Sequence, residues 1–275
     1  MKTPPPLEDS LEPAQTRRHV DRDRRFLVFA GLVLVALALG LKSELVAPGS
    51  AWWLAAALLA VSIPATLAYL WIEAGSSLPA IEHYVPALLG AFAIAGLSLV
   101  VHQWWSWALA TAIFGTGFVI AARLDYLRLF DHSKRGHHFV QEGILALGLV
   151  GGYVAILSSP FNLPLKLAWI FVLSALAAFR SFRVSGEPLT PRRALLFSLL
   201  VAQVATFFAW AIFAYAGTAP EGVFAAMLLL AWYINRGVIR HTAEETLNRQ
   251  VVMEYSLFAA LLVFLFALSY RLPGA

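Results

Sequence analysis

The sequence predicts an all-α integral membrane protein, a polytopic bundle of about nine transmembrane helices. Of its 275 residues, 60% are hydrophobic and only 13% are charged, whereas a soluble domain carries about 25% charged residues. The hydrophobic residues are grouped in runs long enough to cross a hydrocarbon core of ~30 Å at a rise of ~1.5 Å per residue. What remains between these runs is too short to fold a separate soluble domain, so any function must lie within the helix bundle or on its loops.

The N-terminal segment differs from the rest of the chain. Residues 1–25 contain Pro4, Pro5 and Pro6 and a mixture of acidic and basic side chains. Such a composition does not bury enough apolar surface to offset the entropy of ordering. We therefore expect a disordered, basic cytoplasmic tail at 1–25, followed by a single transmembrane helical domain at 26–275.

Turn-forming residues divide that domain, as at Pro48-Gly49 and Ser158-Ser159-Pro160. Between them the apolar runs predict spans at 26–41, 51–72, 84–101, 104–122, 138–157, 164–181, 193–216, 221–237 and 250–270.

The distribution of Lys and Arg predicts the orientation. With nine spans, 17 of these residues fall on one side of the membrane and three fall on the other. Basic loops stay in the cytoplasm, so we expect a cytoplasmic N-terminus and an extracytoplasmic C-terminus in a bacterial inner (plasma) membrane.

Composition also excludes several classes of protein. The chain has no cysteine, which removes disulfides, iron–sulfur clusters, thiolate zinc sites and cysteine nucleophiles. The net charge of +4 is carried by residues beside the apolar spans, which indicates contact with the lipid bilayer and no nucleic-acid partner. Motifs for phosphate binding or for a serine nucleophile are also missing, and no cofactor is expected.

The densest group of polar side chains surrounds the start of the fifth span: Asp125, Asp131, His132, His137, His138 and Glu142. Imidazole and carboxylate groups are ligands of zinc, iron and manganese, and His138 and Glu142 are one helical turn apart. Lys134 and Arg135 interrupt the group with positive charge, which opposes a metal ion. The alternative interpretation is a basic loop that meets anionic lipid head groups.

Two further polar residues lie within predicted spans. Gln203 is close to the middle of the seventh span, where we expect a structural hydrogen bond to Thr206 or to a carbonyl of a neighbouring helix. A substrate site is the functional alternative. Glu254 is nearer a helix end, where we expect a pair with Gln250 or an arginine.

Small residues indicate where helices meet. Gly148-x-x-x-Gly152 is a pattern that allows two helices in a membrane to approach closely. Ser198, Ala202, Thr206 and Ala209 form a small-residue stripe on the seventh span. We expect both to serve packing within the chain rather than oligomer formation.

The segment Glu244-Glu245-x-x-x-Arg249 resembles a motif of the intramembrane proteases that process prenylated proteins. Those proteases need two later histidine motifs, and no histidine follows His241, so we do not expect this activity. Thr242 and Glu245 are instead spaced as a capping box for the ninth helix, and Glu245 and Arg249 as a favourable i, i+4 pair.

Three functions agree with these observations. The first is a non-catalytic subunit or scaffold of a membrane assembly, which short loops and missing motifs favour, with other membrane subunits as partners. The second is a transporter of a small or lipid-like substrate, which Pro64 in mid-span and Gln203 would serve. The third is a membrane enzyme with a cytoplasmic-face site in the 123–142 region.

Overall fold

The computed structural model describes residues 137–184, 189–215 and 220–271, together with positions 82, 85, 89, 90, 93, 104, 105, 108, 109, 112, 113 and 120. The continuous part is helical. Its five helices are α1 (His137–Leu157), α2 (Leu163–Val184), α3 (Pro191–Tyr215), α4 (Glu221–Ala243) and α5 (Arg249–Arg271).

Each of these helices is long and apolar enough to cross a membrane. This confirms a multi-pass helical membrane protein, and the five correspond to the last five predicted spans. The predicted tail and the spans at 26–41 and 51–72 lie outside the described residues. The spans at 84–101 and 104–122 are described only at isolated positions, which are helical.

Contacts near the helix ends show that consecutive helices run antiparallel. The Lys166 ammonium group near the start of α2 donates a hydrogen bond of 2.6 Å to the carbonyl of Leu157 at the end of α1. The rings of Phe182 and Phe197 join the end of α2 to the start of α3, with centroids 6.1 Å apart. Phe213 and Phe224 join the end of α3 to the start of α4 in the same way.

One end of the bundle therefore gathers the starts of α1, α3 and α5 and the ends of α2 and α4. We call it the arginine end, because it carries Arg180, Arg183, Arg192, Arg193, Arg236, Arg240 and Arg249. Lys166 and Glu221 lie at the opposite end. This separation of charge is the pattern that the positive-inside rule describes.

A buried set of hydrogen bonds ties α1, α2 and α4 together in the interior of the bundle. The Tyr153 hydroxyl on α1 lies 2.7 Å from Ser174 Oγ on α2. Because Ser174 Oγ donates its own proton to the carbonyl of Ile170, Tyr153 is the donor to Ser174. The Trp232 indole on α4 donates to the Ser174 carbonyl at 3.1 Å, so one residue of α2 accepts bonds from two neighbouring helices.

The small-residue patterns serve packing within the chain, as predicted. Ser198, Ala202 and Ala209 are buried on the inner face of α3, whose most extensive packing is against α2. Gly148 is also buried, and a Cβ atom there would lie 3.2 Å from the Cβ of Leu89. A larger residue at 148 would therefore push the neighbouring segment away.

The predicted capping box is wrong. Thr242 is still within α4, and its hydroxyl donates to the carbonyl of Val238, four residues earlier. Asn248 is the residue that caps α5, since its side-chain oxygen accepts a 2.9 Å hydrogen bond from the backbone of Val251. The ion pair in this turn joins Arg240 to Glu244.

Glu245 instead completes the C-terminal end of α4. Its φ is 55°, and the backbone N–H of Thr246 donates to the carbonyl of His241 while that of Glu245 donates to Thr242. These are the two bonds of a Schellman motif. Thr242 and Glu245 therefore belong to the motif that ends α4, and not to a capping box that begins α5.

Candidate functional site

Three helices bring polar side chains together at the arginine end. Glu142 lies in the second turn of α1, Ser181 near the end of α2 and Arg236 within the last third of α4. The Ser181 hydroxyl donates to Glu142 Oε1 at 2.8 Å. Arg236 Nη1 donates to Ser181 Oγ at 2.6 Å and forms an ion pair with Glu142 Oε2. We refer to these three residues as the Glu142 network.

Aromatic rings support the cation of this network. The guanidinium carbon of Arg236 lies 5.2 Å from the ring centroid of Trp232 and 5.7 Å from that of Tyr233. Both rings come from the preceding turn of α4, so the helical repeat alone places them beside the cation. The attraction between a cation and the face of an aromatic ring helps to offset the loss of water around Arg236, which is only 8% exposed.

A second set of charged contacts lies beside the first. Arg183 on α2 donates to Glu82 Oε1 from Nε and Nη2, at 3.1 and 3.0 Å. Its Nη1 donates to the carbonyl of Leu189 at 2.9 Å. Arg180, which is buried, donates to the carbonyl of Glu82 at 2.8 Å. The end of α2 thus binds a segment about 100 residues earlier in the chain and the backbone of Leu189, two residues before the start of α3.

A small cleft opens between α1 and α2 next to the Glu142 network. It is lined by Gln141, Glu142, Leu145, Arg180, Ser181 and Val184, and its volume is about 10 Å³. That volume is about the space that one water molecule needs. The cleft is too small for an organic substrate in this conformation.

Of the six residues predicted as a metal or polar site, only Glu142 has a described side chain. Asp125, Asp131 and His132 lie outside the described residues, and for His137 and His138 only the helical backbone is described. Within the described part of the chain, no group of three histidine, aspartate or glutamate residues is arranged to bind a metal ion. The metal site therefore stays a prediction, and the partners of Glu142 include a hydroxyl and a guanidinium.

The two residues predicted as intramembrane polar groups have different surroundings. Gln203 is exposed in the middle of α3. The hydroxyl of Thr206 has no hydrogen-bond partner among the described residues, so the predicted Gln203–Thr206 bond does not form. Glu254 accepts a 3.3 Å hydrogen bond from the Tyr233 hydroxyl, a partner that the sequence analysis did not name.

The sequence pattern did not indicate the basic and hydroxyl residues of this site, Arg236, Ser181 and Arg180. Arg236 lies one residue inside the end of the predicted span at 221–237 and was considered only as a positive charge on the cytoplasmic side, whereas α4 continues to Ala243. Neither Ser181 nor Arg180 is part of a recognisable sequence motif. The available signal was a charged residue that interrupts an apolar helix inside its last turns, where it must find a partner of opposite charge.

Comparisons of the chain with protein-family models, with curated proteins and with solved structures find no match. The geometry of the bundle is therefore the basis on which a function is proposed.

Proposed function

We propose that this chain is a non-catalytic subunit or scaffold of a membrane assembly. One observation carries the proposal: the charged side chains described in the interior at the arginine end bond other segments of the same chain. Glu142 bonds Arg236 and Ser181, and Glu82 bonds Arg183. Charged groups that act on a substrate in a membrane face a water-filled cavity, whereas these groups hold helices together.

The packing of the bundle agrees with this role. The cleft at the Glu142 network has room for about one water molecule. The outer faces of α3 and α5 present large apolar side chains, among them Phe207, Leu257 and Phe264, which are 60–72% exposed. Such faces suit lipid or the helices of other subunits.

The proposal includes a complete topology. It consists of nine spans in a bacterial plasma membrane, with the N-terminus in the cytoplasm and the C-terminus outside. The collection of arginines at one end of α1–α5 supports this orientation. Lipid and other membrane proteins are the proposed partners, and no nucleic acid is involved.

Purification in a mild detergent tests the subunit role. The tagged chain, expressed at its natural level, should retain partner proteins in stoichiometric amounts, which quantitative mass spectrometry of the eluate would measure. A matched purification with the surface variant Arg192→Lys, which keeps the charge at an exposed position, should retain the same partners. A chain that purifies alone from its own membranes would contradict the proposal.

A transporter is the second candidate, because an ion pair beside a cleft can separate and open a path. Glu142 and Arg236 join α1 to α4 at such a position. If the chain transports a substrate, Glu142→Gln should abolish uptake into proteoliposomes while the protein remains folded. The third candidate, an enzyme with its site in the 123–142 region, concerns residues described only from 137 onwards.

A further inference from the structure

Gln203 occupies an unusual position on α3. It is the thirteenth of the 25 residues of the helix, so both helix ends are equally far away and its amide lies near the middle of the bilayer. Its side chain is exposed. Within the described part of the chain it forms no hydrogen bond.

An amide in this place needs a partner. Lipid tails form no hydrogen bonds and the centre of a bilayer holds almost no water, so an unpaired amide there is strongly unfavourable. A primary amide offers two N–H donors and a carbonyl acceptor. The group that satisfies it must therefore reach the same depth and must both donate and accept.

The residues around Gln203 form a continuous seam for another helix. Leu196, Leu200, Gln203, Phe207 and Trp210 follow one another at intervals of four, three, four and three residues. This is the heptad spacing of a helix that packs along its length against another helix. The four apolar members are 45–66% exposed, and the rings of Phe207 and Trp210 already contact each other, with centroids 5.8 Å apart.

The opposite face of α3 packs against the rest of the bundle. Its buried residues include Ala194, Ala202, Ala205 and Ala209, and small side chains there allow α2 to approach closely. Among the described residues, the seam is the exposed face of α3, and the packing of the opposite face fixes the rotation of the helix. The direction in which Gln203 points is determined by packing elsewhere in the bundle.

We propose that α3 is a homodimerisation helix, with the seam of one copy packed in parallel against the seam of a second copy and the two Gln203 amides hydrogen-bonded to each other. A second copy of this chain is the partner whose amide lies at the required depth by symmetry. A two-fold axis along the membrane normal places each residue near its own counterpart. The two amides are self-complementary, because each donates to the other and accepts from it.

Charge does not oppose this arrangement within the bilayer. Arg193 extends the seam by one turn, and it is the first charged residue along it. A helix of 25 residues is about 37 Å long at ~1.5 Å per residue, so Arg193 at its start lies at the level of the head groups. Water and anionic lipid screen its charge there. The inference goes beyond the proposed function, because a homodimer forms with or without other subunits.

Cysteine cross-linking tests the seam directly, since the natural chain has no cysteine. Leu200→Cys and Phe207→Cys lie on the seam. Leu257→Cys is the matched control, because it is exposed at a similar distance from the arginine end but lies on α5. Differently tagged copies are co-expressed in membranes and treated with a mild oxidant. We expect intermolecular disulfides at 200 and 207 to form at least fivefold faster than at 257. Equal rates at the three positions, or no intermolecular product at 200 and 207, would overturn the proposal.

A second measurement tests the amide pair and does not depend on cysteine. Single-molecule photobleaching in liposomes counts the copies of the labelled wild-type chain in each particle as the protein-to-lipid ratio is varied. We expect dimers, and we expect Gln203→Leu to lower the association constant about 3- to 20-fold. Val263→Leu, on the exposed face of α5, should leave it unchanged. A monomeric wild type would reject the dimer, and an unchanged association constant for Gln203→Leu would reject the amide pair. Loss of partner proteins in the detergent purification would not affect either result.

Discussion

Gly237 on α4 lies directly against the phenol ring of Tyr255 on α5. A Cβ atom at position 237 would overlap the hydroxyl and the adjoining ring atoms of Tyr255. The ring in turn contacts Tyr233, with centroids 5.9 Å apart, and His241 at 6.0 Å. Because Gly237 has no side chain, the ring of Tyr255 can pack directly against the backbone of α4.

Gly237→Ala should separate α4 from α5. Overpacking of a close contact costs about 1–3 kcal/mol, because either the ring or the helix must move. Reversible unfolding in mixed micelles would measure the loss. Gly222→Ala is the matched control on the same helix, since a Cβ there would meet nothing within 4 Å, and its stability should stay within about 0.5 kcal/mol of wild type. Equal stabilities of the two variants would contradict the contact.

Glu142→Leu should destabilise the bundle by about 2–3 kcal/mol, because it leaves the charge of Arg236 without its carboxylate in a partly buried place. The side chains of the two residues are 25% and 10% exposed, so water compensates for only part of the loss. The double variant Glu142→Leu with Arg236→Met removes both charges and should recover at least half of the lost free energy of unfolding. A double variant less stable than the single one would show that the ion pair is not the interaction being lost.

Glu245→Gly should raise the stability of the α4–α5 turn. Glu245 has a φ of 55°, a conformation that costs an L-residue about 1 kcal/mol and costs glycine almost nothing. Thermal unfolding in detergent should therefore shift upward. Glu244→Gly next to it should shift downward, since Glu244 has a φ of −91° and its carboxylate pairs with Arg240. A gain at both positions would mean that the turn conformation is not the cause.

Reporter fusions test the orientation of the helices. A reporter inserted in the 183–190 loop should report the cytoplasm, because the arginine end lies there, and a reporter fused after Ala275 should report the outside. Alkaline phosphatase and fluorescent-protein activities give opposite readings for the two sides. If both fusions report the same side, either α3–α5 do not alternate across the membrane or the orientation is wrong.

The helices were predictable because the length of each apolar run must match the thickness of the hydrocarbon core. The predicted span at 138–157 and α1 differ by one residue, and 193–216 and α3 differ by two at one end and one at the other. The span at 221–237 ended too early, since α4 runs to Ala243. Hydropathy falls where a helix leaves the lipid, whereas the backbone hydrogen bonds of α4 continue until the Schellman motif.

The candidate site was predictable only in part. Glu142 stood out as an acidic residue at the start of an apolar span. Arg236, its partner, is 94 residues later, and their meeting depends on how α1 and α4 are rotated about their axes. The same rotation decides whether Gln203 points inward or outward. In a helix that is apolar on all sides, the sequence contains little information on that angle, and only the small side chains at 198, 202 and 209 indicated the inner face.

The attachment of α5 bears on the order in which the protein is made. Its packing is mainly against α4, while the Glu142 network and the Tyr153–Ser174–Trp232 hydrogen bonds use only residues that leave the ribosome earlier. A nascent chain that has inserted α4 already contains each of these groups. When α5 emerges, the surface of α4 that it packs against has already been synthesised, including the contact position of Tyr255 at Gly237, so assembly of the described helices can proceed during translation.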